Sequence, residues 1–129
     1  MKKIWVNGCF DVLHRGHIEL LQYAKSKGDQ LIVGIDYDKR VKQAKGPTRP
    51  FNTFEDRKFV LESLECVDKV VGFGSDFELR YCIEVEQPFC MVVGSDWEGK
   101  EVIGQEFVKG VFYFPRIGEY STTKILENK

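Results

Sequence analysis

The sequence predicts an α/β protein with a Rossmann-like, doubly wound sheet of five parallel strands and helices on both faces. Three observations lead there. Five short apolar runs, at residues 4–6, 31–35, 69–73, 89–93 and 111–114, are rich in β-branched or aromatic residues and bounded by Gly, Asp, Asn or Pro, as strands are. The runs are continuous rather than alternating, which suits strands covered on both faces. Helical patterns lie between most of them, and strands alternating with helices argue for a parallel sheet.

After the first run, "HIELLQYAKSK" places Ile18, Leu21 and Ala24 on one face, and Gly28 follows as a stop. After the second, "KRVKQAKGPTRPFN" predicts one long irregular connection carrying Lys39, Arg40, Lys42, Lys45 and Arg49 with Gly46, Pro47 and Pro50. Connections of that length in compact domains are often functional. "NTFEDRKFVLESLECV" predicts a helix with Val60, Leu61, Leu64 and Val67 on one stripe; Asn52 with Glu55 three residues later resembles a capping box. Between the third and fourth runs "FELRYCIEVEQ" reads as a third helix, and "STTKILENK" as a short closing helix capped by Ser121 or Thr122. No repeat, low-complexity tract or linker interrupts the pattern, so residues 1–129 are expected to form one domain.

A net charge of -1 gives no global attraction to nucleic acid or anionic lipid. No apolar run approaches the roughly 20 residues that span a bilayer. The opening "MKKIWVNG" has an apolar stretch of about three residues, where a signal peptide needs about 7–15. The expectation is a cytoplasmic protein with neither a membrane nor a nucleic-acid partner. Cys9, Cys66, Cys82 and Cys90 form no C-x-x-C pair and no zinc-ribbon spacing, which predicts reduced, mostly packed thiols.

The stretch that carries chemistry is "NGCFDVLHRGH", which starts at the end of the first strand and holds the chain's only two histidines, His14 and His17, around Gly16. In an open parallel sheet, ligands bind beyond the carboxyl ends of the strands. A helix N-terminus there offers unpaired N–H groups and a partial positive charge, which suits an anion. Two imidazoles can add hydrogen bonds to phosphate oxygens, and Gly16 removes a Cβ that would hold a ligand off the backbone. Other readings remain. The i, i+3 spacing also suits half of a metal site, with Asp11, Cys9 or a distant carboxylate as a further ligand. A Cys9 nucleophile could draw on a helix-lowered thiol pKa but lacks a clear base and orienting group. Both histidines could be purely structural. The dinucleotide fingerprint G-x-G-x-x-G is absent after the first strand, which weakens an NAD-type reading.

With "GCFDVLHRGH" near the start and "YSTTKI" near the end, the chain resembles the small nucleotidyltransferases that carry an H-x-G-H signature. These are the cytidylyltransferases and the adenylyltransferases of the same superfamily. The resemblance covers essentially the whole sequence. It implies an enzyme that moves a nucleoside monophosphate from a nucleoside triphosphate to a phosphate monoester, releasing pyrophosphate, with Mg²⁺ as cofactor and a homodimer as the assembly. It implies His14, His17, Lys45 and Arg57 as the catalytic donors. Nucleotide binding would fall to Gly8, Cys9, Phe10, Asp11, Gly16, Asp96, Arg116 and Tyr120, and to Ser121, Thr122 and Thr123 at a second helix N-terminus. Asp11 would orient the site or help hold Mg²⁺, and Lys42 and Lys45 would lie over the phosphates or the acceptor. The residue types fit this chemistry. The attacking phosphate oxygen is already anionic, so the reaction needs in-line positioning and donors for the charge on the α-phosphate and leaving group rather than a general base.

Within that family the residues point two ways. "GSDWEGK" at 94–100, Pro115-Arg116 and "STTKI" look like glycerol-3-phosphate cytidylyltransferases. "VNGCFD", "VKQAKGPTRPFNTFEDRKFVLESLECVDKVVGF" and "VIGQEFV" look like the heptose-1-phosphate adenylyltransferases that make ADP-heptose, and they cover more of the chain. Arg116-Ile117-Gly118-Glu119-Tyr120 and Glu65 depart from the cytidylyltransferase pattern, while Trp97 and Arg116 depart from the heptose pattern. The expectation is adenylyl transfer onto a sugar phosphate, ATP being the nucleotide. The alternatives are a CTP:glycerol-3-phosphate cytidylyltransferase and a non-catalytic nucleotide-binding module, which this fold could equally support.

Overall fold

The computed structural model describes residues 1–115. Five strands, β1 (Lys3–Gly8), β2 (Gln30–Asp36), β3 (Lys69–Phe73), β4 (Cys90–Gly94) and β5 (Gly110–Phe114), form one sheet in the order β3-β2-β1-β4-β5. Every pairing is parallel. Among the described residues the α-helices are α1 (Arg15–Lys25), α2 (Asp38–Lys45), α3 (Phe54–Glu62) and α4 (Asp76–Glu86).

The apolar runs build the sheet because the odd and even residues of each strand both meet a helix layer. Ile4, Val6, Leu31, Val33 and Ile35 pack with Leu21 and Ala24 of α1 and Leu61 of α3. On the other face Trp5, Ile32 and Met91 pack with Leu79 and Ile83 of α4. Gly34 makes room there, since a Cβ on it would stand 2.5 Å from the Trp5 indole. Burial of this kind stabilises by roughly 25 cal/mol per Å² of apolar surface.

The strand order reverses between β1 and β4. β1 pairs with β2 along its whole length, Lys3 opposite Gln30 through Gly8 opposite Ile35. Against β4 it pairs only through Ile4–Cys90 and Trp5–Met91. The carboxyl halves of β1 and β4 therefore separate, and a crevice opens at the point where such folds bind ligands.

Three expectations change. The basic segment after β2 is not wholly irregular, because α2 occupies its first half. Lys, Arg, Gln and Ala are good helix formers. Asp38 in the first turn and Lys42 and Lys45 in the last suit the helix dipole. Gly46, at φ +103°, ends the helix. In α3 the cap is Thr53, whose Oγ1 accepts from Asp56 N at 3.3 Å, rather than Asn52. Val60 is exposed and off the buried stripe. The expected helix at "STTKILENK" lies outside the described residues.

Candidate active site at the carboxyl ends of the strands

His14 and His17 close the N-terminus of α1 reciprocally. His14 is the N-cap, and its Nδ1 accepts from Gly16 N at 3.0 Å. His17 is the third residue of the helix, and its Nδ1 accepts from His14 N at 3.3 Å. The pair plays the parts that Ser or Thr and Glu or Gln play in a capping box. The i, i+3 spacing thus has a helix-end explanation as well as a chemical one. Because each Nδ1 is an acceptor, each neutral imidazole carries its proton on Nε2, leaving that edge as a donor. The two rings stack with centroids 3.8 Å apart, and the Phe10 ring meets His17 edge-on at 5.3 Å. Burial first, then the electrostatic influence of the neighbouring His14 ring and of Lys45, push His17 down to about 4. It is therefore neutral at physiological pH, an N–H donor rather than a cation. Lys45, exposed at the end of α2, is near enough to be felt electrostatically by His17, Cys9 and Asp36.

Below this pair, two buried side chains fasten three segments together. The Asp11 carboxylate accepts from Arg49 Nε at 3.2 Å, Phe51 N at 2.7 Å and Asn52 N at 2.8 Å. Asn52 Nδ2 donates back to Asp11 O at 2.9 Å. The fully buried Arg57 guanidinium donates to Asn52 O at 3.1 Å, Cys9 O at 3.0 Å and Asp38 Oδ1 at 2.7 Å. The loop after β1, the start of α2 and the connection at 46–53 are thereby one unit. Phe10 sits within it at φ +49°, an uncommon conformation for a non-glycine residue, with its ring against Gly8.

These contacts correct two expectations. Asp11 is not an open metal ligand, because three protein donors engage its two oxygens. Arg57 does not line the site, because its guanidinium is fully buried and is engaged by Asn52 O, Cys9 O and the part-exposed Asp38 carboxylate. Cys9 also fails as a nucleophile: burial pushes its thiol up, away from thiolate. Gly8, Cys9, Phe10, Asp11, Gly16, His14 and His17 lie together along the loop and helix start. Lys42 Nζ reaches Arg49 O at 3.2 Å, which ties it to the loop rather than to a ligand. Asp96 lies in a short 3-10 turn, Ser95–Trp97, at the top of β4, folded back over Gly94. Arg116, Tyr120, Ser121, Thr122 and Thr123 lie outside the described residues.

The crevice between β1 and β4 holds a cavity of about 290 Å³. Asn7 and Gly8 line it from β1, Asp36 from β2, Arg40 from α2, Phe73 from β3 and Trp97 from beyond β4. Burial pushes the Asp36 carboxyl up from its ordinary value, against the pull of Arg40. The sequence reading did not place Asn7, Asp36 or Arg40 in a site. Their common signal is position, each standing at or just beyond the carboxyl end of a strand.

A family model described as Cytidylyltransferase-like matches residues 5–128. Among curated proteins, the bifunctional protein HldE of Sulfurimonas denitrificans is 47% identical over 128 residues, 98% of this chain and 26% of that protein. HldE of Helicobacter pylori strain J99 is 44% identical over 126 residues, 98% of this chain and 27% of that protein. The chain spans about a quarter of the length of these relatives. Among solved structures, the lipopolysaccharide core biosynthesis protein from Thermoplasma volcanium matches with a TM-score of 0.70 and 25% identity, over 94% of this chain and 99% of that one.

Proposed function

The chain belongs to the cytidylyltransferase-like family, and from that premise we propose that it is a nucleotidyltransferase that moves the adenylyl group of ATP onto a heptose phosphate and releases pyrophosphate. The observation that carries the reading is the stacked histidine pair, whose tautomers are set by the backbone so that two Nε2–H donors stand at the ligand edge of the sheet. A neutral donor beside the exposed Lys45 suits a polyphosphate: the imidazoles orient and bond the phosphate oxygens, and the lysine supplies the charge. The attacking acceptor phosphate needs no base, so nothing at this edge has to remove a proton. The unit held by Asp11 and Arg57 keeps the loop after β1 in place, which is positioning rather than chemistry.

Relatives named HldE, at 47% and 44% identity over nearly all of this chain, support ADP-heptose-type transfer over the cytidylyl alternative. The lipopolysaccharide core biosynthesis protein supports a sugar acceptor destined for a surface polysaccharide. Mg²⁺ fits this reading as part of the substrate. Among the described residues no three His, Cys, Asp or Glu side chains group to hold a metal. Mg²⁺ characteristically binds through substrate phosphates with few protein ligands. It would neutralise charge on the leaving pyrophosphate. A cytoplasmic homodimer completes the proposal.

The test is pyrophosphate release from ATP and CTP, each against heptose-1-phosphate and glycerol-3-phosphate. The expected result is ATP with heptose-1-phosphate as the best pair, at least about tenfold above CTP in kcat/KM, a gap of ~1.4 kcal/mol. CTP with glycerol-3-phosphate as the best pair would overturn the choice of substrate. Nucleotide binding without turnover on any acceptor would favour the non-catalytic module.

A further inference from the structure

The crevice between β1 and β4 contains charged groups that the phosphate grip does not use. Arg40 Nε lies 2.8 Å from Asp36 Oδ1, and its Nη2 lies 2.5 Å from Asp76 Oδ1. The guanidinium also covers the Phe73 ring, 5.3 Å from the centroid. Held from three sides, the planar group keeps Asp36 and itself in fixed places on the cavity wall. Asn7 is oriented from behind: its Oδ1 accepts from the Nε1 of the buried Trp5 at 2.9 Å, so the amide N–H₂ is what it can offer a ligand.

The charge balance decides what this corner binds. Arg40 is already paired with two carboxylates, Asp36 and Asp76, so its charge is taken up within the protein and the corner is not a second phosphate seat. It presents a carboxylate acceptor beside amide and guanidinium groups, with Val93, Trp97 and Ile103 as apolar walls. A hydroxyl group both donates and accepts, and a row of them satisfies such an alternation. The volume of about 290 Å³ is near the lower end of the roughly 300–1,000 Å³ typical of small-molecule sites, and a mostly apolar lining with a few convergent polar groups is their usual make-up. Gly8 lines the cavity and opens the loop that leads to His14, so the corner adjoins the phosphate grip.

We propose that Asp36, held by Arg40, together with Asn7, reads the hydroxyl groups of the acceptor, and that this pair selects a sugar phosphate over a three-carbon polyol phosphate. The inference rests on the nucleotidyl-transfer reading of the same site, and it names specificity-determining residues for it.

The test compares the full chain with Asp36→Ala and Asp36→Asn. Pyrophosphate release is measured at saturating ATP against heptose-1-phosphate and glycerol-3-phosphate, and heptose-1-phosphate binding is measured directly by titration calorimetry. Asp36→Ala should raise both KM and Kd for heptose-1-phosphate about tenfold to hundredfold, the scale of lost hydrogen bonds to a charged group. Its KM for ATP should stay within about twofold and its glycerol-3-phosphate kinetics within about threefold. Asp36→Asn keeps one acceptor oxygen and should recover part of the loss. Equal losses on both acceptors, an unchanged heptose-1-phosphate Kd, or an ATP KM that rises in step would overturn the proposal. Should Asp36→Ala not melt cooperatively, Asp36→Asn decides alone, a threefold or larger rise in Kd supporting and no rise overturning. A wild-type protein that turns over no acceptor removes the transfer reading, while the calorimetric comparison still settles this one.

Discussion

Replacing Asp11 by alanine should cost the protein a large share of its stability, in the complete absence of metal and nucleotide. The carboxylate is 1% exposed and accepts from one guanidinium and two backbone N–H groups. Truncation takes the carboxylate acceptor from the part-buried amides of Phe51 and Asn52, at up to roughly 1–3 kcal/mol each. Breaking a buried ion pair from one side costs roughly 3–5 kcal/mol in all. These losses overlap at one site, so about 3–5 kcal/mol is the expected total. For a chain of this length each kcal/mol moves Tm by about 3–4 °C, which predicts a drop of roughly 9–20 °C. Thermal melting and urea unfolding of the metal-free protein measure it. Hydrogen exchange at Phe51 and Asn52 should accelerate well beyond that of amides in β1. A metal-ligand role predicts the opposite pattern, because removing an uncompensated carboxylate leaves the metal-free melt unchanged or higher. An unchanged melt with unchanged protection at those two amides would refute the anchoring role.

The histidine pair allows its two roles to be separated. His14→Ser and His17→Gln retain capping acceptors, so melting should stay within about 1 kcal/mol of wild type, while kcat falls roughly 10²–10³-fold; near-normal turnover would remove the residue from the chemistry. His14→Ala should lose about 1 kcal/mol more than His14→Ser in urea unfolding. Burial holds His17 down at about 4 in the folded protein, against the ordinary imidazole value of about 6.5, so the unfolded chain binds the extra proton between those values. Its contribution to stability is therefore complete above about 6.5 and lost as pH falls towards 4, and His17→Gln should flatten the acid limb of a stability–pH curve. Turnover should vanish in EDTA and return with Mg²⁺, and elemental analysis should find no stoichiometric zinc; zinc on the histidines would overturn the phosphate grip.

Much of the sheet was legible because its strands are buried on both faces and their apolar runs leave no other period. The structure lengthens three of these runs by one to three residues and shifts the fourth by one, with Gln30, Asp36 and Gly94 completing ladders whose hydrogen bonds need no apolar side chain. α2 was missed because Val41 is its one buried residue, so it carries no stripe for periodicity to find. The segment at 7–17, from the end of β1 into α1, was legible through its residue types, since two histidines around a glycine at a strand end have few other uses. The roles of Asp11 and Arg57 were not. A carboxylate and a guanidinium beside a phosphate site read as ligand groups, and only the contacts to Asn52, 41 and 5 residues away in sequence, reveal that both are consumed by the protein. Asp36 and Arg40 were hidden for a similar reason: one ends a strand and the other sits among lysines, and their pairing exists only once α2 is wound.

The reciprocal cap at the start of α1 also bears on how such a chain can change over generations. Catalytic groups are commonly free to drift once a protein no longer needs its reaction, but these two imidazoles also terminate a helix whose Leu21 and Ala24 are fully buried. A descendant that abandons the chemistry and keeps the fold cannot accept arbitrary residues at these places. It is channelled towards side chains that can accept from the same two N–H groups, Ser, Thr, Asp or Asn at 14 and Glu or Gln at 17. The tetrad would then read S-x-G-E or its equivalents, a mark by which a silent copy could be told from a working one in sequence alone.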